Sequence, residues 1–380
     1  MSSSSIRLRP SWFLYNGLLL SFLFGWLPRA LAGIDIAALF DLLLVACSAA
    51  TVWMFGIRKR AAIPLLAISL YVVVGAGFAI GLRSVHPYDF MMAYKFLWYL
   101  LLLIPFSGRP VLDANQLARL LRICLVSFCA VYLGKVLIGN SRPTFFTENN
   151  FEILLICLLF ISAQIANDGV KFLDIGLLLA VAVLSGSRSG AALAALVVLL
   201  SFDYRKLKSG SALLVLFGGV AAVFAMAYVF MTRTSGGIES IDRYNFLLGL
   251  LEATKGWSFF DFMVGAPRVS ALPPIVCSRL SFYEALFSYS GDGTCYSVVL
   301  HSFVMRILFD HGVIVMVAVG ALIWSLLKGA NWRSKAGVLM LLVANGLSVS
   351  SINSVYAALG LVVACSAASY ARAKNGRDSS

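Results

Sequence analysis

"LLLAVAVLSGSRSGAALAALVVLL", residues 177–200, decides how this chain is read. It is apolar from end to end except for Arg188, which stands among Ser185, Ser187 and Ser189. A permanent cation in hydrocarbon costs several kcal/mol unless it is paired, wetted or able to reach the interface. Which of these holds depends on whether the stretch is one helix or two, and that is settled by the charges on either side of it.

Of the 380 residues, 61% are hydrophobic and 12% charged; a soluble domain carries about 25% charged residues. Apolar runs of membrane-spanning length recur from Trp12 to Ala371, which makes the chain an all-α polytopic membrane protein, a single integral membrane domain over 1–380. The first residues, MSSSSIRLRP, read as a cytoplasmic stub. A signal peptide is the competing reading, with Ala30-Leu31-Ala32 as its cleavage site. The net charge of +13 does not mark a nucleic-acid binder, because the cations fall in small clusters between apolar runs, as the positive-inside rule requires.

Twelve spans are expected, roughly 11–27, 34–57, 61–82, 91–106, 119–139, 150–166, 171–185, 189–202, 212–231, 301–327, 335–350 and 353–371. Both termini are then cytoplasmic. So are Arg58-Lys59-Arg60, Arg109 with Arg119 and Arg122, Lys171, Arg205 with Lys206 and Lys208, Lys328 with Arg333 and Lys335, and Arg372 with Lys374 and Arg377. A single helix over 171–202 would turn the Arg205 cluster outward. Two short spans joined at Ser185-Gly186-Ser187 keep the pattern. Each has about 15 residues, hence about 22 Å, against a hydrocarbon core of about 30 Å. The turn bearing Arg188 should be recessed, in a watered cavity that would receive a lipid headgroup anion. The alternative is an arginine that snorkels and only anchors a helix.

Other charged groups share that outer side. "GNSRPTFFTENNFEILL" (139–155) brings Arg142, Glu148, Asn149, Asn150 and Glu152, with Thr147 as a helix cap and Glu152 in need of an arginine partner. The loop 232–300 is the one sizeable extramembrane piece. Its stretch 239–257 reads as an amphipathic helix on the membrane surface, led by Arg243. A glycine turn at Gly265 follows, and Arg268 and Arg279 add charge. Cys277 and Cys295 are the two cysteines of an outer loop, and an isolated pair in an oxidising compartment forms a disulfide. The last outer stretch places His301 at a span boundary, with Arg306, Asp310 and His311 deeper. No metal-binding spacing is present, so neither a metal nor a cofactor is expected.

Taken in order, "TENNFEILL" (147–155), "SGSRSG" (185–190), "RYNFLLGLLEAT" with "FMVGAP" (243–267) and "LHSFVMRILFDHGV" (300–313) resemble the motifs of the O-antigen polymerase and O-antigen ligase superfamily of bacterial envelope glycan assembly. Asp310 stands where that family usually has glutamate, and the Cys-bearing stretch between Gly265 and His301 is longer than its usual linker. The resemblance implies a metal-independent glycosyltransferase of the inner membrane, with its active site facing the periplasm and 232–300 as a periplasmic loop. The donor it implies is an oligosaccharide on undecaprenyl diphosphate. In a polymerase the acceptor is a second such lipid, and in a ligase it is lipid A–core; polymerase is the preferred reading, and a lipid-linked sugar transporter is the reading from another class. Arg188 and Arg243 would grip the diphosphate and His301 would serve the acceptor hydroxyl. Arg142, Glu148, Asn149, Arg268 and Arg306 are the further substrate-binding candidates. Partners are the lipid-linked oligosaccharide, membrane lipids and a chain-length-regulating membrane protein, with no nucleic acid.

Overall fold

A computed structural model describes residues 10–27, 35–167, 169, 171–201 and 242–377. The expected span 212–231, the clusters at Arg7 and at Arg205 to Lys208, and Ala30 to Ala32 lie outside the described residues. Among the described residues the chain is helical and has no strand. Six helices among the described residues are long and apolar enough to cross a membrane, and a seventh span results if one bent pair is counted as a unit.

The first helices are α1 (Pro10–Phe24), α2 (Ile36–Phe55) and α3 (Lys59–Ala76). The last runs on through a π-helical segment, Gly77–Leu82. The bent pair is α4 (Pro87–Ala93) and α5 (Lys95–Leu103, then a 3₁₀ turn to Phe106), which meet at 59° around Tyr94. Next come α6 (Ala114–Leu137), α7 (Asn149–Asn167), α8 (Phe172–Leu184) and α9 (Arg188–Ser201). Beyond the undescribed stretch lie α10 (Asp242–Ala253), α11 (Phe259–Val264) and α12 (Pro274–Arg279), then α13 (Phe303–Leu326), α14 (Trp332–Gly346) and α15 (Val355–Arg377).

Burial sorts these helices. α7 and α15 pack against each other and are covered on all sides, 89% and 83% of their apolar windows being buried, against 17% for α3. A helix apolar all round is a central one or a lipid-facing one, and here both kinds occur. Helices α6, α9 and α14 flank α7, while α1 and α8 pack on α6.

Local chemistry fixes several ends. Asp113 and Gln116 form a reciprocal capping box that starts α6 five residues before the apolar pattern does. Arg109 is buried and donates to the carbonyls of Thr51, Phe55 and Gly56, so it closes the C-terminal end of α2. Arg122 pairs with Asp174 at 3.3 Å, tying α6 to α8.

Residues of α10, α12 and the stretches on either side of it form a second, smaller core with Phe309 of α13, built from Phe246, Leu250, Leu272, Val276, Leu280, Val299, Leu300 and Phe309. The inward face of α10 is therefore spent on this core. Its Tyr244, Leu247 and Leu251 remain exposed. Cys277 and Cys295 are joined by a disulfide with S–S 2.05 Å.

This subdomain is locked onto α13 by two glycines. α13 is broken at Gly312, which has φ 74° and ψ 179°. The turn at Gly265 (φ 80°) lies against that break, and a Cβ on Gly265 would stand 2.6 Å from the His311 nitrogen. Ala266 N donates to Phe309 O at 2.7 Å. Only residues without side chains let two backbones approach so closely.

Candidate functional site

The turn between α8 and α9 answers what the serines around Arg188 do. Gly186 takes φ 58°, which reverses the chain. Ser187 Oγ accepts from Gly190 N at 3.0 Å and so caps α9. Ser185 Oγ accepts from Ser187 N and donates to Ala182 O. Asn150 Oδ1 accepts from both Ser187 Oγ (2.6 Å) and Ser189 Oγ (2.8 Å). The Asn149 amide donates to Ser185 O at 2.9 Å. The first turn of α7 thus clamps the first turn of α9, and Arg188 is the first residue of a helix held on three sides.

The clamp carries charge to the same place. Asn150 Nδ2 donates to Glu148 Oε1 at 3.0 Å. Arg243, at the start of α10, has its pKa lowered first by burial and then by the positive charges of Arg188 and Arg142, while Asp242 and Glu148 oppose the shift. Its Nε is buried and has no hydrogen-bond partner. Arg142, Arg188 and Arg243, three candidates from three separate loops, therefore share one electrostatic neighbourhood with Glu148. Among the described residues, three guanidinium groups stand against two carboxylates, Glu148 and Asp242, an excess of positive charge suited to a polyanion.

His301 packs against Phe246 of α10. It adopts φ 53°, an uncommon conformation for a residue with a side chain, between the 3₁₀ turn Ser297–Leu300 and α13. Its carbonyl accepts from Ser350 Oγ at 3.3 Å. Its ring lies 5.9 Å from Phe246 and 4.9 Å from Tyr283, centroid to centroid. Burial holds its pKa below 6.5, the charge of Arg306 adds to this, and Asp242 opposes it. The shift favours the neutral imidazole, the form able to accept a proton. Tyr283 Oη donates to Asp242 Oδ2 at 3.3 Å, and its own pKa is pushed up to about 12, first by burial and then by Asp242. Asp242 and Tyr283 did not stand out in the sequence. The place of Asp242 beside Arg243 was the available signal, whereas nothing in the sequence marks Tyr283.

The remaining candidates fall elsewhere. Asn149 is buried and engaged with the Ser185 carbonyl, so its role is in the clamp. Arg268 lies over the Tyr71 ring at 4.6 Å, and Arg306 is buried with Nη2 on Met92 O at 3.0 Å. Asp310 accepts from Ser297 Oγ, and His311 Nδ1 shares a hydrogen bond of 2.9 Å with Tyr71 Oη. Glu152 does not meet an arginine. It is fully buried, and four donors surround it: Tyr132 Oη, Phe145 N, Phe146 N and Thr147 N, at 2.5 to 3.0 Å. Backbone amides turned inward satisfy the carboxylate, so it organises the loop 145–147 from beneath. The Thr147 hydroxyl pairs with Tyr356 Oη at 2.9 Å and does not cap α7. No group of three metal-ligating side chains occurs among the described residues.

No family model matches the chain, and no curated protein matches it in sequence.

Proposed function

We propose that the protein is a membrane glycosyltransferase that acts on oligosaccharides carried by a polyprenyl diphosphate, joining one to the next at the outer face of a bacterial inner membrane. The observation that carries this reading is the shared electrostatic neighbourhood of Arg142, Arg188 and Arg243, with Asp242 acting on both Arg243 and the partly buried His301. In this reading the chain crosses the membrane twelve times, with α8 and α9 as two short spans and both termini in the cytoplasm. The site then opens on the periplasmic side.

The chemistry follows from the charges. A diphosphate leaving group gains negative charge as its bond to the anomeric carbon breaks, and fixed guanidinium groups stabilise that gain without having to reorganise. An acceptor hydroxyl forms the new bond to the anomeric carbon. His301 takes its proton, and the electron pair of the broken bond leaves on the diphosphate oxygens. Asp242 would favour the imidazolium that forms, since it already pulls the His301 pKa upward against burial.

The test is turnover by the purified protein in nanodiscs, with a lipid-linked oligosaccharide as both donor and acceptor. Longer glycans on the same lipid are expected. Transfer to lipid A–core alone would make it a ligase. Movement of the lipid across the bilayer with no new glycosidic bond would make it a transporter.

A further inference from the structure

A second polar group lies away from the arginine cluster, where α3, the α4–α5 bend and α13 meet. Tyr71 Oη and His311 Nδ1 share a hydrogen bond of 2.9 Å. His311 Nε2 and Tyr94 Oη are buried, at 1% and 0% exposure of their residues, and neither has a hydrogen-bond partner. Native interiors rarely leave such atoms unsatisfied, because each costs about 1–3 kcal/mol. Arg268 covers this group: its guanidinium is 4.6 Å from the Tyr71 ring centroid. Arg83, just past the π-helical end of α3, holds the Arg268 stretch in place by donating to Arg268 O and Ser270 Oγ, each at 3.0 Å. The structure thus builds a site from four elements and leaves polar atoms in it unpaired.

Below it runs an apolar groove of about 170 Å³ between α3, α5 and α13, lined by Ala67, Ile68, Tyr71, Leu97, Val315 and Ala318 among others. Ala67 and Ala318 are exposed, so the groove opens sideways from helices that read as membrane spans. Tyr71 belongs to both halves: its ring lines the groove and carries the cation, and its hydroxyl enters the polar group. A cavity of about 150 Å³ admits a benzene-sized apolar group in other proteins. This groove therefore takes a few carbons' width of one chain, and the several chains of a lipid A anchor do not fit it.

We propose that this groove holds the single prenyl chain of a second lipid-linked substrate, with its phosphate on Arg268 and its first polar atoms against Tyr71, Tyr94 and His311. The inference rests on the functional reading above and deepens it. A polymerase carries both glycans on the same single-chain lipid phosphate and needs two such sites, whereas a ligase needs one. The cluster of Arg142, Arg188 and Arg243 would take one lipid and the Arg268 groove the other.

The test is native mass spectrometry of the full chain in detergent, titrated with undecaprenyl phosphate. The wild type is expected to hold two molecules. Arg268→Gln and Ala318→Trp, one at the headgroup and one filling the groove, should each weaken one of the two sites about 10- to 100-fold and leave the other. Arg188→Gln should weaken only the other site. Val317→Trp, one residue away on α13 and 61% exposed, should keep both. Neither inorganic phosphate nor phosphatidylglycerol at equal concentration should displace the groove lipid. Wild-type binding by both Arg268→Gln and Ala318→Trp would overturn the proposal, as would displacement by phosphatidylglycerol. The turnover assay separates the two ideas. Glycan transfer with an unchanged groove in these variants leaves the function standing and removes the second site; groove binding without transfer does the reverse.

Discussion

Glu152→Gln would remove one charge and one acceptor atom from beneath the candidate site. Glu152 Oε1 accepts from Phe146 N (2.7 Å) and Thr147 N (3.0 Å), and Oε2 accepts from Tyr132 Oη (2.5 Å) and Phe145 N (2.8 Å). A glutamine keeps one oxygen, and its nitrogen must face two of these donors. The milder choice faces Tyr132 and Phe145, since the hydroxyl can turn and accept. Phe145 N–H is then buried without a partner, at a cost of about 1–3 kcal/mol. The bonds to the retained oxygen lose their charge assistance, about 1 kcal/mol each. The sum is about 3–5 kcal/mol. Tyr132→Phe removes a single donor and should cost about 1.5–3 kcal/mol, because three backbone amides still hold the carboxylate. The measurement is denaturant unfolding of the purified protein followed by tryptophan fluorescence. Stability should fall in the order wild type, Tyr132→Phe, Glu152→Gln. A glutamine variant as stable as wild type would refute the reasoning: the four donors would then be indifferent to charge, and the 145–147 loop would be held by something else.

Arg188→Lys keeps the charge but loses the planar fork, and glycan transfer should drop about 10²–10³-fold at matched protein level, read as glycan chain length in cells; wild-type chains would leave Arg188 as a helix anchor. Burial holds the His301 pKa below 6.5, so transfer should stay flat through pH 7 and fall only on the acid side of 6.5, and Asp242→Asn, which removes an anion favouring the imidazolium, should move that fall to lower pH. The sign for stability is the same: the folded state loses stability as pH drops below the unfolded value of about 6.5, because the partly buried imidazole resists the proton that the unfolded one accepts. Cys277→Ser with Cys295→Ser opens a loop with a sequence separation of 18 and should cost about 3 kcal/mol, seen as earlier denaturant unfolding and faster proteolysis of the segment.

The helices were legible in the sequence because lipid-facing and central helices are both long apolar runs. The break at Ser185–Ser187 was legible for a different reason: one helix over 171–202 would have run against the positive-inside pattern expected at the Arg205 cluster. Arg188, Arg243 and His301 could be named because each is a polar residue at the edge of an apolar run. What brings them together was hidden. Asn150 joins two turns through its carbonyl oxygen, and an asparagine at a helix start looks the same whether it caps or clamps. The partners of Glu152 are mostly backbone amides, which every sequence has, so the search for a cation had to fail. The amphipathic pattern of α10 was plain, but periodicity does not say what covers the apolar face, and half of that face covers its own subdomain. Arg268 and the groove were also beyond reach, since Tyr71, Leu97 and Val315 come from three distant helices.

The seam between Gly265 and Gly312 also sets an order of assembly. Ala266 N is satisfied by Phe309 O, a group about 40 residues further along the chain, and ribosomes add about 5–20 residues each second. The turn at Gly265 thus waits about 2–8 s after its own synthesis before its partner exists. Cys295 is made before Phe309, so the sulfur bridge can close while the seam is still open. Until Phe309 is made, the amide of Ala266 has no backbone partner, and the face of the subdomain that will meet α13 is uncovered. That uncovered face is a surface the finished protein never shows.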